Sequence, residues 1–159
     1  YKYYDIETDY ISGTAERPLQ AKHRFFTNLA FETHIDDKGQ QWKFDFTYNW
    51  LGEQRLPTTA SNPTAYRLEE YAPSFAVMNM QVTRTFSSVF EMYVGGENIG
   101  NFKQTNGIIQ NENPFGTYFD SSMIYGPTFG SMYYVGLRFK IKNKKDAHEE
   151  QGHTEGETH

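Results

Sequence analysis

The chain has 159 residues, a formal net charge of −5 and no cysteine. This length is typical of one domain that buries a core, and the acidic balance argues against a protein that binds nucleic acid through counterion release. The absence of cysteine excludes a disulfide framework and thiolate metal sites, and no apolar run approaches the roughly 18 residues of a membrane-spanning helix. Aromatic residues make up 17% of the chain, which favours strands and membrane interfaces over helix bundles.

The first part of the chain predicts two long strands that pair as a hairpin. Tyr1 to Asp5 reads as the end of an earlier strand, in a chain that starts without Met and resembles a piece of a longer protein. His23 to His34 and Gln41 to Leu51 then alternate between apolar and polar residues, the second segment strictly, which is typical of strands with one apolar face. A polar turn over residues 35–40 joins them.

The register of this hairpin follows from both of its faces. If residue 34 lies opposite residue 41, Phe31 meets Phe44 on the apolar face. The same register places Glu32 opposite Lys43 on the polar face, as an opposite-charge pair. A shift of one residue would place apolar residues opposite polar ones on both faces, so we expect this register.

The second part of the chain predicts another hairpin and a final strand. Residues 76–83 and 90–97 alternate in the same way around a turn at residues 86–89, and Met132 to Ile141 forms the last strand. The turns at 35–40 and 86–89 are short, whereas the connections at 6–22, 52–74 and 98–131 are long and polar.

Alternating long loops and short turns are the plan of an outer-membrane β-barrel. The alternative is a soluble β-sandwich or lipocalin-like barrel, whose inward face would be equally apolar. Aromatic residues at the strand ends and charged residues on the opposite face favour the transmembrane interpretation.

The final strand carries a spacing that resembles the C-terminal insertion signal of outer-membrane barrels. The signal residues are Tyr134, Gly136, Phe139 and Ile141. The barrel assembly machinery would recognise such an exposed strand edge by β-augmentation, so this machinery is an expected partner.

The chain further resembles the C-terminal barrel region of TonB-dependent outer-membrane receptors from Bacteroidota, over roughly residues 20–141. The segments that carry the resemblance are residues 54–57, 93–102, 113–116, 119–123, 125–127 and 136–140. The resemblance implies an all-β fold: residues 1–141 supply the last five to six antiparallel strands of a transmembrane barrel of about 22 strands filled by an N-terminal plug. It further implies extracellular long loops, periplasmic turns and a periplasmic C-terminus in the bacterial outer membrane.

The function that the resemblance implies is import of a scarce nutrient such as a siderophore, haem, a vitamin, a metal chelate or an oligomer. The implied partners are the TonB complex, through a plug that this chain lacks, and outer-membrane lipids. A surface lipoprotein is a further candidate partner, and nucleic acid is not expected. The alternative function is that of a soluble all-β carbohydrate-binding module.

No residue pattern indicates bond-making chemistry, so we expect neither an enzyme nor a cofactor. Ligand contacts are expected in the 98–131 loop, because binding residues concentrate in loops. The candidates are Phe115, Tyr118, Phe119, Asp120, Met123 and Tyr125. The other interpretation of this loop is that its aromatic residues fold it onto its neighbours.

Residues 142–159 form a polar tail without apolar periodicity, which we expect to be disordered and periplasmic. Its histidines, His148, His153 and His159, are candidates for a weak metal site, since imidazole is a ligand for zinc, copper and nickel. Their spacing matches no compact ligand motif, so a solvated tail is the other interpretation.

Overall fold

The computed structural model describes residues 1–15 and 20–141, and this part of the chain is all β, with mostly antiparallel sheets. The strands are β1 Lys2–Tyr3, β2 Thr8–Tyr10, β3 Gly13–Ala15, β4 His23–Glu32, β5 Gln41–Leu51, β6 Gln54–Arg55, β7 Tyr71–Ala72, β8 Phe75–Ser87, β9 Phe90–Glu97 and β10 Met132–Phe139. Thr64–Tyr66 forms a short 3-10 helix. No helix within the described ranges has the length and apolar character needed to cross a bilayer.

Six strands form the main sheet in the order β1-β4-β5-β8-β9-β10. Within the described residues the sheet is open, with β1 and β10 at its edges, and it does not close into a barrel. Two small sheets, β2-β3 and β6-β7, lie inside the connections at 6–22 and 52–74. The prediction of an all-β, mostly antiparallel fold is confirmed.

The last strand ends earlier than the sequence predicts. β10 stops at Phe139, and Ile141 follows it with its side chain almost fully exposed. The Lys140 amide donates to the Val89 carbonyl, and Val89 is the residue just before β9 begins at Phe90. The strand therefore ends because its neighbour offers no further residues to pair with.

The predicted register of the β4-β5 hairpin is confirmed. The Thr33 amide donates to the Trp42 carbonyl at 2.9 Å, which is the pairing that this register requires. The Phe31 and Phe44 ring centroids lie 6.1 Å apart, and the Lys43 Nζ lies 3.4 Å from a Glu32 carboxylate oxygen.

The chain divides into two compact units. The first, the loop unit, comprises residues 1–29, 46–80 and 96–133. The second, the turn unit, comprises residues 30–45, 81–95 and 134–159, of which the structure describes those up to 141. The expected disorder of residues 142–159 concerns residues outside the described part.

The loop unit has an apolar core built by the long connections. Its buried members come from the two connections at 52–74 and 98–131: Leu56, Ala72, Ile109 and Met123. Tyr66, Leu68 and Tyr125 pack against them. The long connections are therefore folded by their own apolar residues rather than extended into solvent.

The turn unit has two chemically different faces. Phe31, Val135 and Leu137 lie on the apolar face and are 63%, 66% and 59% exposed. On the polar face, Arg138 pairs with the buried carboxylate of Glu91. The alternation in the sequence thus corresponds to a real difference between faces, and the apolar face is the exposed one.

Candidate functional site

The shape of the 98–131 loop is set by two buried amide side chains. The first is Asn98, directly after β9, which adopts a left-handed backbone conformation with φ of 49°. Its amide nitrogen donates to the carbonyls of Phe102 and Phe129 at 2.6 and 3.1 Å, and its amide oxygen accepts from the Phe102 N–H. Asn98 therefore ties the start of the loop to its end.

The second buried amide is Gln104. Its nitrogen donates to the Met123 carbonyl at 2.8 Å, and its oxygen accepts from the backbone N–H groups of Tyr125 and Gly126 at 2.8 and 3.0 Å. One side chain thus satisfies three backbone groups, of which the Met123 carbonyl is buried and the two N–H groups are part-buried. The sequence-based candidates did not include Asn98 or Gln104, and isolated amides at loop positions are too common to single out.

Two of the six ligand-binding candidates belong to the interior of the loop unit. Met123 is 2% exposed and is a member of the apolar core. Tyr125 packs against that core, with its ring 6.1 Å from the ring of Phe75, and burial raises the pKa of the Tyr125 phenol above its ordinary value. Both residues support the loop from inside rather than offering a surface.

The other four candidates lie closer to solvent. The Phe115 side chain is fully exposed, and the Tyr118 ring stacks on the Tyr66 ring with centroids 5.5 Å apart and an angle of 23° between the planes. Phe119 is 38% exposed. The Asp120 carboxylate accepts the Ser122 N–H at 2.7 Å, so it shapes the turn that follows it.

Gln110 organises the surface around the stacked tyrosines. Its amide oxygen accepts the Tyr118 N–H at 3.1 Å, and its amide nitrogen lies 3.5 Å from the Tyr66 hydroxyl. A cavity of about 310 Å³ opens beside it, with Tyr66, Ile108 and Glu112 in its wall. This arrangement offers aromatic faces, amide groups, one carboxylate and the guanidinium of Arg67, which suits binding of a polar ligand with apolar faces rather than bond-making chemistry.

A larger cavity of about 680 Å³ lies elsewhere in the loop unit. Its wall includes Lys22, His23, Trp50, Glu53 and Tyr71. The sequence candidates missed it, because its residues come from the start of β4, the end of β5 and the β6-β7 hairpin. Charged residues clustered at predicted strand ends are the only signal that would have pointed there.

The residues of the predicted insertion signal have definite contacts in the turn unit. The Tyr134 ring covers Gly95 on β9, and the Tyr93 ring covers Gly136 on β10. Phe139 stacks on Phe90, with ring centroids 4.7 Å apart. Their recognition by assembly machinery stays a prediction.

The predicted metal site of His148, His153 and His159 lies outside the described residues. Within residues 1–15 and 20–141, no group of three or more His, Asp or Glu side chains could hold a metal ion.

Comparison of the chain with models of protein families, with curated proteins and with solved structures finds no match.

Proposed function

We propose that the chain is the C-terminal part of the β-barrel of a TonB-dependent outer-membrane receptor, and that this receptor imports a scarce nutrient. The observation that carries the proposal is the exposed apolar face of the sheet. Besides Phe31, Val135 and Leu137, this face includes Leu29 and Phe139, which are also more than half exposed.

The free energy of burial explains why this exposure supports a membrane location. Removing one large apolar side chain from water is worth about 1.5–3 kcal/mol. A soluble β-sandwich gains this energy by covering its apolar face with a second sheet. A lipid bilayer supplies the same gain to a face that has no protein cover, whereas in water such a face is an aggregation hazard.

The dimensions of the strands and connections agree with the proposal. β4, β5 and β8 have 10, 11 and 13 residues, β9 and β10 have 8 each, and a tilted strand needs about 9–11 residues to cross a bilayer. Short turns alternate with long connections that fold into their own core, as in outer-membrane barrels. The connections at 52–74 and 98–131 would then face the cell exterior.

The nutrient would meet the receptor at these connections. Phe115, Tyr118 and Phe119 offer the exposed aromatic surface, and Gln104 and Met123 hold it in place from inside. Force for transport would come from the TonB complex through a plug supplied by the rest of the receptor. A surface lipoprotein that covers the loops is a further proposed partner.

Cell fractionation combined with an uptake assay tests this function. We expect the full-length protein to sediment with outer membranes, to need detergent for extraction, and to support uptake only in cells with an intact TonB complex. Recovery of the protein in a soluble fraction without detergent would contradict the barrel and would favour the soluble carbohydrate-binding module.

A further inference from the structure

A cation lies on the apolar face of the turn unit. Arg84 lies on β8 at the same parity as Val82 and Phe86, so its side chain starts from the apolar face. It is three residues before the end of the strand at Ser87, which corresponds to about 10 Å along the strand.

Two aromatic rings and one amide hold the guanidinium in place. The Arg84 Cζ lies 5.0 Å from the ring centroid of Trp42 and 5.8 Å from that of Phe86. One of its terminal nitrogens donates to the side-chain oxygen of Gln40. These three contacts orient the planar guanidinium and leave its other N–H donors available to a ligand.

Among the described residues, no acidic side chain neutralises this cation. In the part of the chain that the structure describes, no carboxylate lies within ion-pair distance of Arg84. Asp36, in the same turn as Gln40, uses its carboxylate to accept the backbone N–H groups of Lys38 and Gln40. The positive charge of Arg84 therefore has no counterpart within the described protein.

An apolar groove lies directly beside the guanidinium. It has a volume of about 250 Å³, and its wall includes Trp42, Val82, Phe86, Met92 and Val94. A ligand that suits both the guanidinium and the apolar groove carries an anionic group next to a hydrocarbon chain. A planar guanidinium binds phosphate oxygens through two parallel hydrogen bonds, which makes phosphate the best-matched anion.

We propose that Arg84 and this groove bind one glycerophospholipid, with the lipid phosphate on the guanidinium and an acyl chain along the groove. Charge complementarity and the apolar wall together select this occupant. The inference rests on the proposed membrane location, and it adds a specific lipid site that neither the fold nor the transport function requires.

The test uses the full-length receptor, purified in detergent and freed of lipid, with lipid binding measured by native mass spectrometry. The probe is dioleoyl-phosphatidylglycerol, and dioleoylglycerol serves as the ligand with the same chains and no phosphate. Because a charge-assisted hydrogen-bond pair is lost, we expect Arg84→Gln to weaken phosphatidylglycerol binding about tenfold. The variant should leave the weaker dioleoylglycerol binding unchanged.

Lys43→Gln is the matched control. Lys43 lies on β5 beside Trp42 but on the polar face, where it pairs with Glu32, and its substitution removes the same charge. We expect this variant to bind phosphatidylglycerol like the wild type. Equal weakening by both substitutions would mean a general effect of net charge and would overturn the site.

If the Arg84→Gln protein fails to insert into the membrane, Arg84→Lys replaces it. We expect Arg84→Lys to weaken phosphatidylglycerol binding about threefold, because lysine lacks the planar guanidinium and its stacking on the aromatic rings. The proposal is overturned if the Arg84 variant binds phosphatidylglycerol as tightly as the wild type does. It is also overturned if the wild type binds phosphatidylglycerol and dioleoylglycerol with equal affinity. These results are distinguishable from failure of the proposed function. A receptor that needs detergent and imports its nutrient, but whose Arg84→Gln variant binds phosphatidylglycerol normally, contradicts the lipid site alone.

Discussion

Tyr93 and Tyr134 each cover a glycine on the neighbouring strand. A Cβ atom added at Gly95 would lie 2.5 Å from the Tyr134 ring, and one added at Gly136 would collide with the Tyr93 ring. The two tyrosine rings also contact each other at an angle of 65°. Each tyrosine ring thus packs over a glycine of the neighbouring strand on the polar face. These two contacts fix the register of β9 against β10.

Gly95→Ala is therefore expected to destabilise the protein by about 1–3 kcal/mol, because the new methyl group displaces the Tyr134 ring. Urea titration of the full-length protein in detergent micelles measures the change in the free energy of unfolding. In the background of Tyr134→Ala the ring atoms nearest to this methyl group are absent, so the same substitution should cost much less. An equal cost in both backgrounds would show that the ring contact is not the cause.

The sequence predicts which face each of these residues occupies but not the contacts between them. Because successive residues of a strand point to opposite faces, the sequence places Tyr93 and Tyr134 on the polar face, where the structure has them. The pairing of Tyr93 with Gly136 depends on the register between β9 and β10. That register is set across the 98–131 loop, whose geometry no local pattern specifies.

At the scale of elements, the long connections are ordered by buried amides as much as by apolar residues. Gln104 links three backbone groups around Met123, and Asn98 joins the two ends of the 98–131 loop. The sequence predicts the loop and its aromatic residues. It does not reveal these amides, because all the partners of Gln104, and the Phe129 carbonyl that Asn98 bonds, are backbone groups about 20 to 30 residues away.

Gln104→Leu removes the side-chain partner of one buried and two part-buried backbone groups, and we expect it to destabilise the loop by about 2–4 kcal/mol. Hydrogen exchange of the full-length protein measures this locally, since faster exchange should appear at Tyr125 and Gly126 while the strands keep their protection. Thr105→Ala, at the exposed neighbouring position, is the control and should leave exchange unchanged. Unaltered protection in Gln104→Leu would contradict the role given to this amide.

At the scale of the whole molecule, the long strands of the main sheet follow from the sequence, whereas the short strands inside the connections do not. The alternation from Gln41 to Leu51 gives a strand with the same bounds in the structure, and the β4-β5 register follows from Phe31 and Lys43. Alternation alone does not say which face meets water, because a soluble sandwich and a membrane barrel share the same period. The exposure of residues such as Val135 and Leu137 is the structural observation on which the proposed membrane location rests.

The central claim is that the apolar face meets lipid, and spin labelling of single cysteines tests it most directly. This chain contains no cysteine, so a single cysteine introduced at one of residues 133–139 is the only labelling site that this chain contributes to the full-length protein in lipid vesicles. We expect labels at Tyr133, Val135 and Leu137 to collide mainly with oxygen dissolved in the bilayer, and labels at Tyr134 and Arg138 to collide mainly with a water-soluble nickel complex. Contact of both sets with the nickel complex, without alternation, would contradict the membrane location of the sheet.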